Sequence, residues 1–254
     1  MNLSLNLNKI ALLRNSRGSG TPSLEGYANE SIKFGVDGLT LHPRPDHRHA
    51  TSEDAIKLSF ICNHHNLEFN LEGNPFSIAS GEYLGFQEIC YQANPHQITL
   101  VPDSPLQITS DHGWQKGFKD KELKQFINNH KRNKIRISLF INADIESVEY
   151  AADMGVDRVE LYTGPFAEIY ASSMVRNTSE HIEIKNIMIK TIQRARELNL
   201  GVNAGHDLNL ANLPELMQCG SIDEVSIGHA IIIDSLKYGF YDTIMKYKEI
   251  TKGK

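Results

Sequence analysis

No apolar run in the 254-residue chain approaches the ~18 residues that would suggest a membrane span. The opening segment MNLSLNLNKIALLRNSRG has no basic region ahead of a long apolar stretch, so a cytoplasmic protein with no membrane partner is expected. Cysteine is scarce. Cys62, Cys90 and Cys219 are odd in number, far apart and outside any CxxC pair, which argues against a disulfide framework and a cysteine zinc site. Neither charge sign dominates: 26 Lys and Arg against 31 Asp and Glu leave −5 at neutral pH, and no nucleic-acid surface is expected. A small anion needs only a local positive pocket, on which net charge is silent. No stretch is rich enough in Pro, Gly or Ser to be a linker, and no segment repeats, so one domain over 1–254 is expected.

What is present is alternation. Strand-like runs fall at 3–7 (LSLNL), 38–42, 67–71 (LEFNL), 97–101 (QITLV), 134–141 (KIRISLFI), 157–162 (DRVELY), 200–203 and 224–227. Helical patterns fall between them, at 24–34, from Thr51-Ser52-Glu53-Asp54 onward, at 75–93 with a break near Ser80-Gly81, at 144–154, from about 181 to 198, at 210–218 and at 231–250. About eight strands alternating with about eight helices favour a single α/β domain, a (β/α)8 TIM barrel, over a doubly wound sheet. The polar, turn-rich stretch 103–117 carries the only tryptophan, Trp114, and by its length is a lid candidate.

Three of the strand-like runs end on histidine: GLTLH at His42, LGVNAGH at His206 and EVSIGHA at His229. In a barrel the strand ends converge on one face, where the chemistry is built, and histidine titrates near neutrality. The same face collects Asn6, Asn8 and Lys9 after the first strand, with Arg14 and Arg17 beyond. It also collects Arg44 and His49 after the second, Glu68 and Glu72 from the third, Asp103 and Thr109 after the fourth, Glu160 and Thr163 from the sixth, and Asn203 and Gly228 near the last two. Burying such groups unpaired costs roughly 1–3 kcal/mol each, so their accumulation signals a site. The Gly-His pairs after strands seven and eight suit a phosphate cradle made of loop N–H groups and a helix N-terminus. The Arg44…Arg48-His49 loop suits a second anion, or is simply a solvated charged loop. A metal on His42, His47 and His49 is disfavoured by the spacing and by the arginines around them. Glu68 alternates with Leu67 and Phe69 and so points away from their face; inside a barrel it would be a carboxylate suited to proton transfer, and otherwise an exposed or salt-bridged glutamate, and Glu160 carries the same two readings. Glu72 is expected to be solvated, and His64, His65, His96, His112, His130 and His181 to lie on the surface.

The segments NLNKIALLRNSRG, GLTLHPRPDHRHATSEDAI, NLEFNLEGNP, ITLVPD, RISLFINAD, VELYTG, GVNAGHDLN and IGHAII follow one another over nearly the whole chain. Together they resemble the pyridoxine 5′-phosphate synthase family, with HxRxDxRH, VNAGH and IGHA the specific combination. The resemblance implies a barrel with extra helices that mediate homo-oligomer contacts, usually in an octamer, and no metal or organic cofactor. It implies two phosphorylated substrates, 1-deoxy-D-xylulose 5-phosphate and 3-amino-2-oxopropyl phosphate, closing to pyridoxine 5′-phosphate with release of phosphate and water. By motif, His42 and Glu68 would be general bases, His206 a general acid, and Glu160 a transition-state stabiliser. Arg44, His49 and Thr109 would hold the sugar phosphate; Asn6, Arg17, Gly228 and His229 would hold the amine substrate. Asn8-Lys9 stand where many members carry Asp-His at the sugar phosphate, and Asp207 stands where glycine is common, leaving a backbone contact there. The competing readings are a phosphate-binding isomerase or aldolase, with Lys9 as the one plausible Schiff-base lysine, and a barrel that has lost activity and serves as a binding module.

Overall fold

Eight parallel strands close on themselves, each paired with the next and the last with the first. They are β1 (Asn2–Asn6), β2 (Gly38–Leu41), β3 (Glu68–Gly73), β4 (Gln97–Leu100), β5 (Arg136–Ile141), β6 (Arg158–Tyr162), β7 (Gly201–Gly205) and β8 (Glu224–Ile227). The computed structural model describes residues 1–104, 107–172 and 178–253. Among them are eleven helices: α1 (Asn8–Asn15), α2 (Leu24–Lys33), α3 (Ser52–His64), α4 (Phe86–Ala93), α5 (Asp120–Arg132), α6 (Ile145–Met154), α7 (Gly164–Ser172), α8 (Ser179–Glu197), α9 (Leu213–Met217), α10 (His229–Tyr238) and α11 (Phe240–Thr251). None of the described helices is long and apolar enough to cross a membrane.

Strand alternation divides each strand into two sets. One set, including Leu3, Leu5, Leu39, Leu41, Phe69, Leu71, Ile98, Ile137, Leu139, Val159, Val202 and Val225, is fully buried and packs outward on the helices. The other set faces the barrel lumen and is polar. Ser4 meets Thr40 at 2.7 Å, Thr99 and Gln97 donate to Asn70 Oδ1 at 2.9 and 3.1 Å, and Arg136 Nε donates to Gln97 Oε1 at 2.7 Å. Asn203 on β7 reaches Gln97 on β4 at 3.5 Å, across the lumen. Most barrels fill this space with branched apolar side chains; here hydrogen bonds satisfy most of the polar groups instead, with Ser138 Oγ and Glu160 Oε2 left without a partner.

Local signals explain the ends of several elements. Thr51 and Asp54 form the capping box that starts α3, and Asp144 caps α6 by accepting from Ser147 N–H at 2.7 Å. The stretch 75–93 is helical only from Phe86, because Gly85 has φ +86° and the preceding residues turn through a Ser80–Tyr83 bridge. The closing helix is two helices, parted at Gly239 with φ +83°. The segment following β4 is pinned by Trp114, whose Nε1–H donates to the Leu100 carbonyl at 2.8 Å and whose N–H donates to Phe140 O at 2.9 Å. Pro105 and Leu106 of the lid candidate lie outside the described residues. His130 and His181, expected on the surface, are 1% and 2% exposed; both sit on apolar faces of their helices, His130 against Phe126 and Tyr91.

Candidate active site

The C-terminal ends of the strands bring His42, Glu72, Asp103, Glu160 and His206 to one face. His42 follows β2 directly, and its backbone N–H donates to Asn8 Oδ1 at 3.0 Å, so the first residue of α1 fixes the end of β2. The ring stands between two carboxylates: Nδ1 is 3.8 Å from Glu72 Oε2 and Nε2 is 3.4 Å from Asp103 Oδ2. Burial, helped by the charge of Arg44, lowers the His42 pKa to about 3, so the imidazole is neutral at physiological pH. His49 packs edge-on to it at 6.2 Å between ring centroids, and burial lowers it in the same way, to about 3.

The carboxylate that β3 presents to His42 is Glu72. Its residue is 8% exposed, its Oε2 accepts from Asn6 Nδ2 at 3.5 Å, and burial together with the charges of Glu160 and Asp103 raises its pKa well above the ordinary value. Glu68 does face the lumen, as its alternation implied, but at the opposite end. It is the first residue of β3, its carboxylate pairs with Arg136 at the start of β5, and it neighbours Glu224 at the start of β8. The expectation that Glu68 shares the His42 face is thus corrected, and so is the expectation that Glu72 is solvated. β3 runs on to Gly73, which carries Glu72, at even spacing from Glu68, to the top of the lumen.

Glu160 on β6 is 5% exposed and lies with Oε1 against Gly205, where a Cβ would collide with it. Oε2 is buried without a partner, and burial pushes the pKa up to about 7 against the opposing effect of His206. His206 leaves β7 with φ +93°, a conformation rare outside glycine, followed by Asp207 at +55°. The Thr163 hydroxyl donates to the carbonyls of Gly205 and His206 and holds this bend. His206 Nε2 bonds Thr109 Oγ1 at 3.1 Å, so the segment after β4 reaches over the face. The Asp207 side chain turns to His206 Nδ1 at 3.5 Å and its carbonyl accepts from Asn212 Nδ2, while hydrogen bonding and the charge of His206 lower its pKa.

The remaining candidates divide. Gly228 caps α10 and packs against Asn6, with no room for a side chain, and His229 is the first residue of that helix. Lys9, on α1, is close enough for its charge to act on His49 and Asp207. Arg17 lies exposed in the turn after α1. Arg44 is buried and Arg48 half-buried, rather than forming a solvated loop. Arg44 is 3% exposed, pairs closely with Asp103, and donates to the carbonyls of Ser104 at 2.7 Å and Gln107 at 3.0 Å; its Nε is buried without a partner. Arg48 binds Asp46 and the carbonyls of Gln107 and Ile108, at 2.8 and 2.7 Å. The arginine-rich loop after β2 therefore clasps the segment after β4. Asp103 is the residue that sequence reasoning passed over lightly; the Pro102 closing β4 placed it at a strand end.

Among known proteins, residues 3–253 match the family described as pyridoxal phosphate biosynthesis protein PdxJ. The chain is 41% identical over 252 residues to the pyridoxine 5′-phosphate synthase of Xanthomonas axonopodis pv. citri (strain 306), covering 99% of this chain and 96% of that one. It is 42% identical over 253 residues to the enzyme of the same name from Xylella fastidiosa (strain M23), covering 98% and 94%. Among solved structures it is similar to a mutant tryptophan synthase alpha-subunit from Pyrococcus furiosus, with TM-score 0.63 at 16% identity over 99% of this chain and 98% of that one. It is also similar to a thiamine phosphate pyrophosphorylase from Pyrococcus furiosus, with TM-score 0.59 at 12% identity over 99% and 95%. Those two likenesses speak to the barrel fold.

Proposed function

Because this chain belongs to the PdxJ family of pyridoxal phosphate biosynthesis proteins, and so acts as a pyridoxine 5′-phosphate synthase in vitamin B6 biosynthesis, we propose that its His42–Glu72–Glu160–His206 face closes the pyridine ring. The substrates are 1-deoxy-D-xylulose 5-phosphate and 3-amino-2-oxopropyl phosphate, and phosphate and water leave. Imine formation, dehydration and phosphate loss each move protons, and they need bases and acids that hold opposite protonation states at one pH. The observation that carries the reading is a neutral His42 facing Glu72, a carboxyl whose pKa is raised, with a second raised carboxyl, Glu160, beside His206.

His42 acts as base and His206 as acid. Glu160, against Gly205, stabilises positive charge developing in the transition state. Glu72 takes the base role on β3 in place of Glu68. Arg44, His49 and Thr109 attend the sugar phosphate, with Asn8 and Lys9 beside its hydroxyls. The amine substrate's phosphate sits at the first turn of α10, where the N–H groups that open the helix at Gly228 and His229 receive its oxygens; Asn6 and Arg17 complete that side, and Asp207 offers its N–H. Holding both substrates together supplies the proximity advantage.

The protein works in the cytoplasm as a homo-oligomer, an octamer in the family pattern. The apolar residues that α10 and α11 leave exposed, Leu236 at 86% with Ile233 and Tyr241, support self-association. Sedimentation giving a monomer would exclude it. The chemistry is tested by incubating protein with both substrates and measuring pyridoxine 5′-phosphate and released phosphate. Product only with both present is expected, and none under any condition overturns the reading. His206→Asn should lower turnover about 100-fold with the fold retained; near-normal turnover would remove His206 from the mechanism.

A further inference from the structure

We propose that Asp103 is the positioning residue of His42: ionised by Arg44, its carboxylate holds the proton of His42 on Nε2 and leaves Nδ1 as the open base. The inference rests on the reaction assigned above. Asp103 is only 6% exposed, yet it directly touches two groups of the site, through a single oxygen: Oδ2 pairs with Arg44 Nη1 and lies 3.4 Å from His42 Nε2. A neutral imidazole carries its proton on one nitrogen, and the proton goes to the side that offers the better acceptor. On the Nε2 side that acceptor is a carboxylate neutralised by a guanidinium.

On the Nδ1 side stands Glu72, 3.8 Å away, with no cation in contact among the described residues and its pKa raised well above the ordinary value, chiefly by burial. At 3.8 Å it lies beyond hydrogen-bond reach of Nδ1, so it does not compete with Asp103 for the imidazole proton. The row therefore reads Arg44 cation, Asp103 anion, His42 N–H, open nitrogen, and then the carboxyl of Glu72. Two carboxyls flank one histidine unequally, because the one nearer to it is also the one that Arg44 holds.

Burial pushes the Asp103 carboxyl up to about 6 despite Arg44 and Arg48. The other charges facing it are Asp46 from the loop after β2 and His112 from its own segment. Glu72 on β3 and the buried phenol of Tyr83 also feel its charge. Below about pH 6 Asp103 becomes protonated and His42 loses its orienting acceptor, so kcat should fall on the acid side with a limb near pH 6.

Asp103→Asn keeps the shape and removes the charge. It should lower kcat about 100-fold or more, as expected of a base held in the wrong tautomer, change the KM of the sugar phosphate much less, and abolish the acid limb. Asp103→Glu, which restores the charge, should recover at least a tenth of kcat and the limb. Circular dichroism and the melting temperature check that each variant is folded. A folded Asp103→Asn with kcat within threefold of wild type, or with its acid limb intact, overturns the proposal. Nitrogen-15 spectra of histidine-labelled protein test it without substrates, with His42 assigned by its loss in His42→Asn. Wild type should show the Nε2–H form, and Asp103→Asn should shift toward Nδ1–H. An Nδ1–H form in wild type overturns the proposal whatever the kinetics, whereas absence of turnover in wild type overturns the reaction and not the tautomer.

Discussion

Replacing Glu160 with Gln tests the electrostatics of the site through stability. The carboxyl is buried, one oxygen has no partner, and its pKa is raised from 4.5 to about 7, chiefly by burial. A carboxyl raised in the folded state costs nothing below its unfolded value, where both states are protonated. As pH rises from about 4.5 the unfolded chain ionises first, and stability falls until the folded carboxyl ionises too, near pH 7. The change corresponds to about 3 kcal/mol. Gln has no proton to lose. The stability of Glu160→Gln relative to wild type should therefore rise by about 3 kcal/mol between about pH 4.5 and about pH 8, whatever the offset at acid pH. For a chain of this size that is roughly 6–12 °C in melting temperature. Paired thermal melts across that range, at one protein concentration because self-association also contributes, read it directly. Turnover of the variant should fall in the same preparations. A stability difference that stays flat with pH would refute the assignment of Glu160 as a buried, proton-holding carboxyl.

Glu72→Gln should lower kcat about 100-fold, while Glu68→Gln, at the far end of the lumen, should lower the melting temperature with a smaller loss of turnover; the reverse order in the two measurements would return the base role to Glu68. His130→Phe should gain stability over wild type as pH falls below 6.5, because the buried ring, with both nitrogens unpartnered, resists the proton that the unfolded chain accepts; melts at about pH 5 and about pH 7.5 that shift equally would count against it.

Most of the barrel was legible in the sequence because its strands obey two-residue alternation. β8 was read over the same residues, and β2, β4 and β6 within one residue at either end. The losses have physical causes. α1 follows β1 with no loop between them, and its residues NKIALLRN were read as a strand end with its flank. α7 begins at Gly164-Pro165, which reads as a turn although proline is well tolerated in a first turn. For the site, histidines at strand ends announced themselves, since nothing else explains them there. Glu72 did not. Whether a glutamate near a strand end is buried depends on where the strand stops, and LEGN looks like a loop unless the partner strand is known. The neighbour that decides it, Leu100 opposite Gly73, lies far along the chain. The Arg44–Asp103 pair was hidden for the same reason, its members lying 59 positions apart in the chain.

The polar lumen constrains how this barrel can change over generations. An apolar interior tolerates one substitution at a time, because any side chain of suitable volume fills the gap. In much of this lumen one group is the partner of another: Asn70 serves Thr99 and Gln97, Gln97 serves Arg136 and Asn203, and Asn203 also meets Arg158 and Glu224. Removing one leaves its partners unmatched in a dry space, and a second replacement then recovers part of the first loss. Substitutions here should be strongly epistatic, and relatives should differ at these positions in matched sets, whereas the outward-facing leucines, isoleucines and valines of the same strands drift one by one.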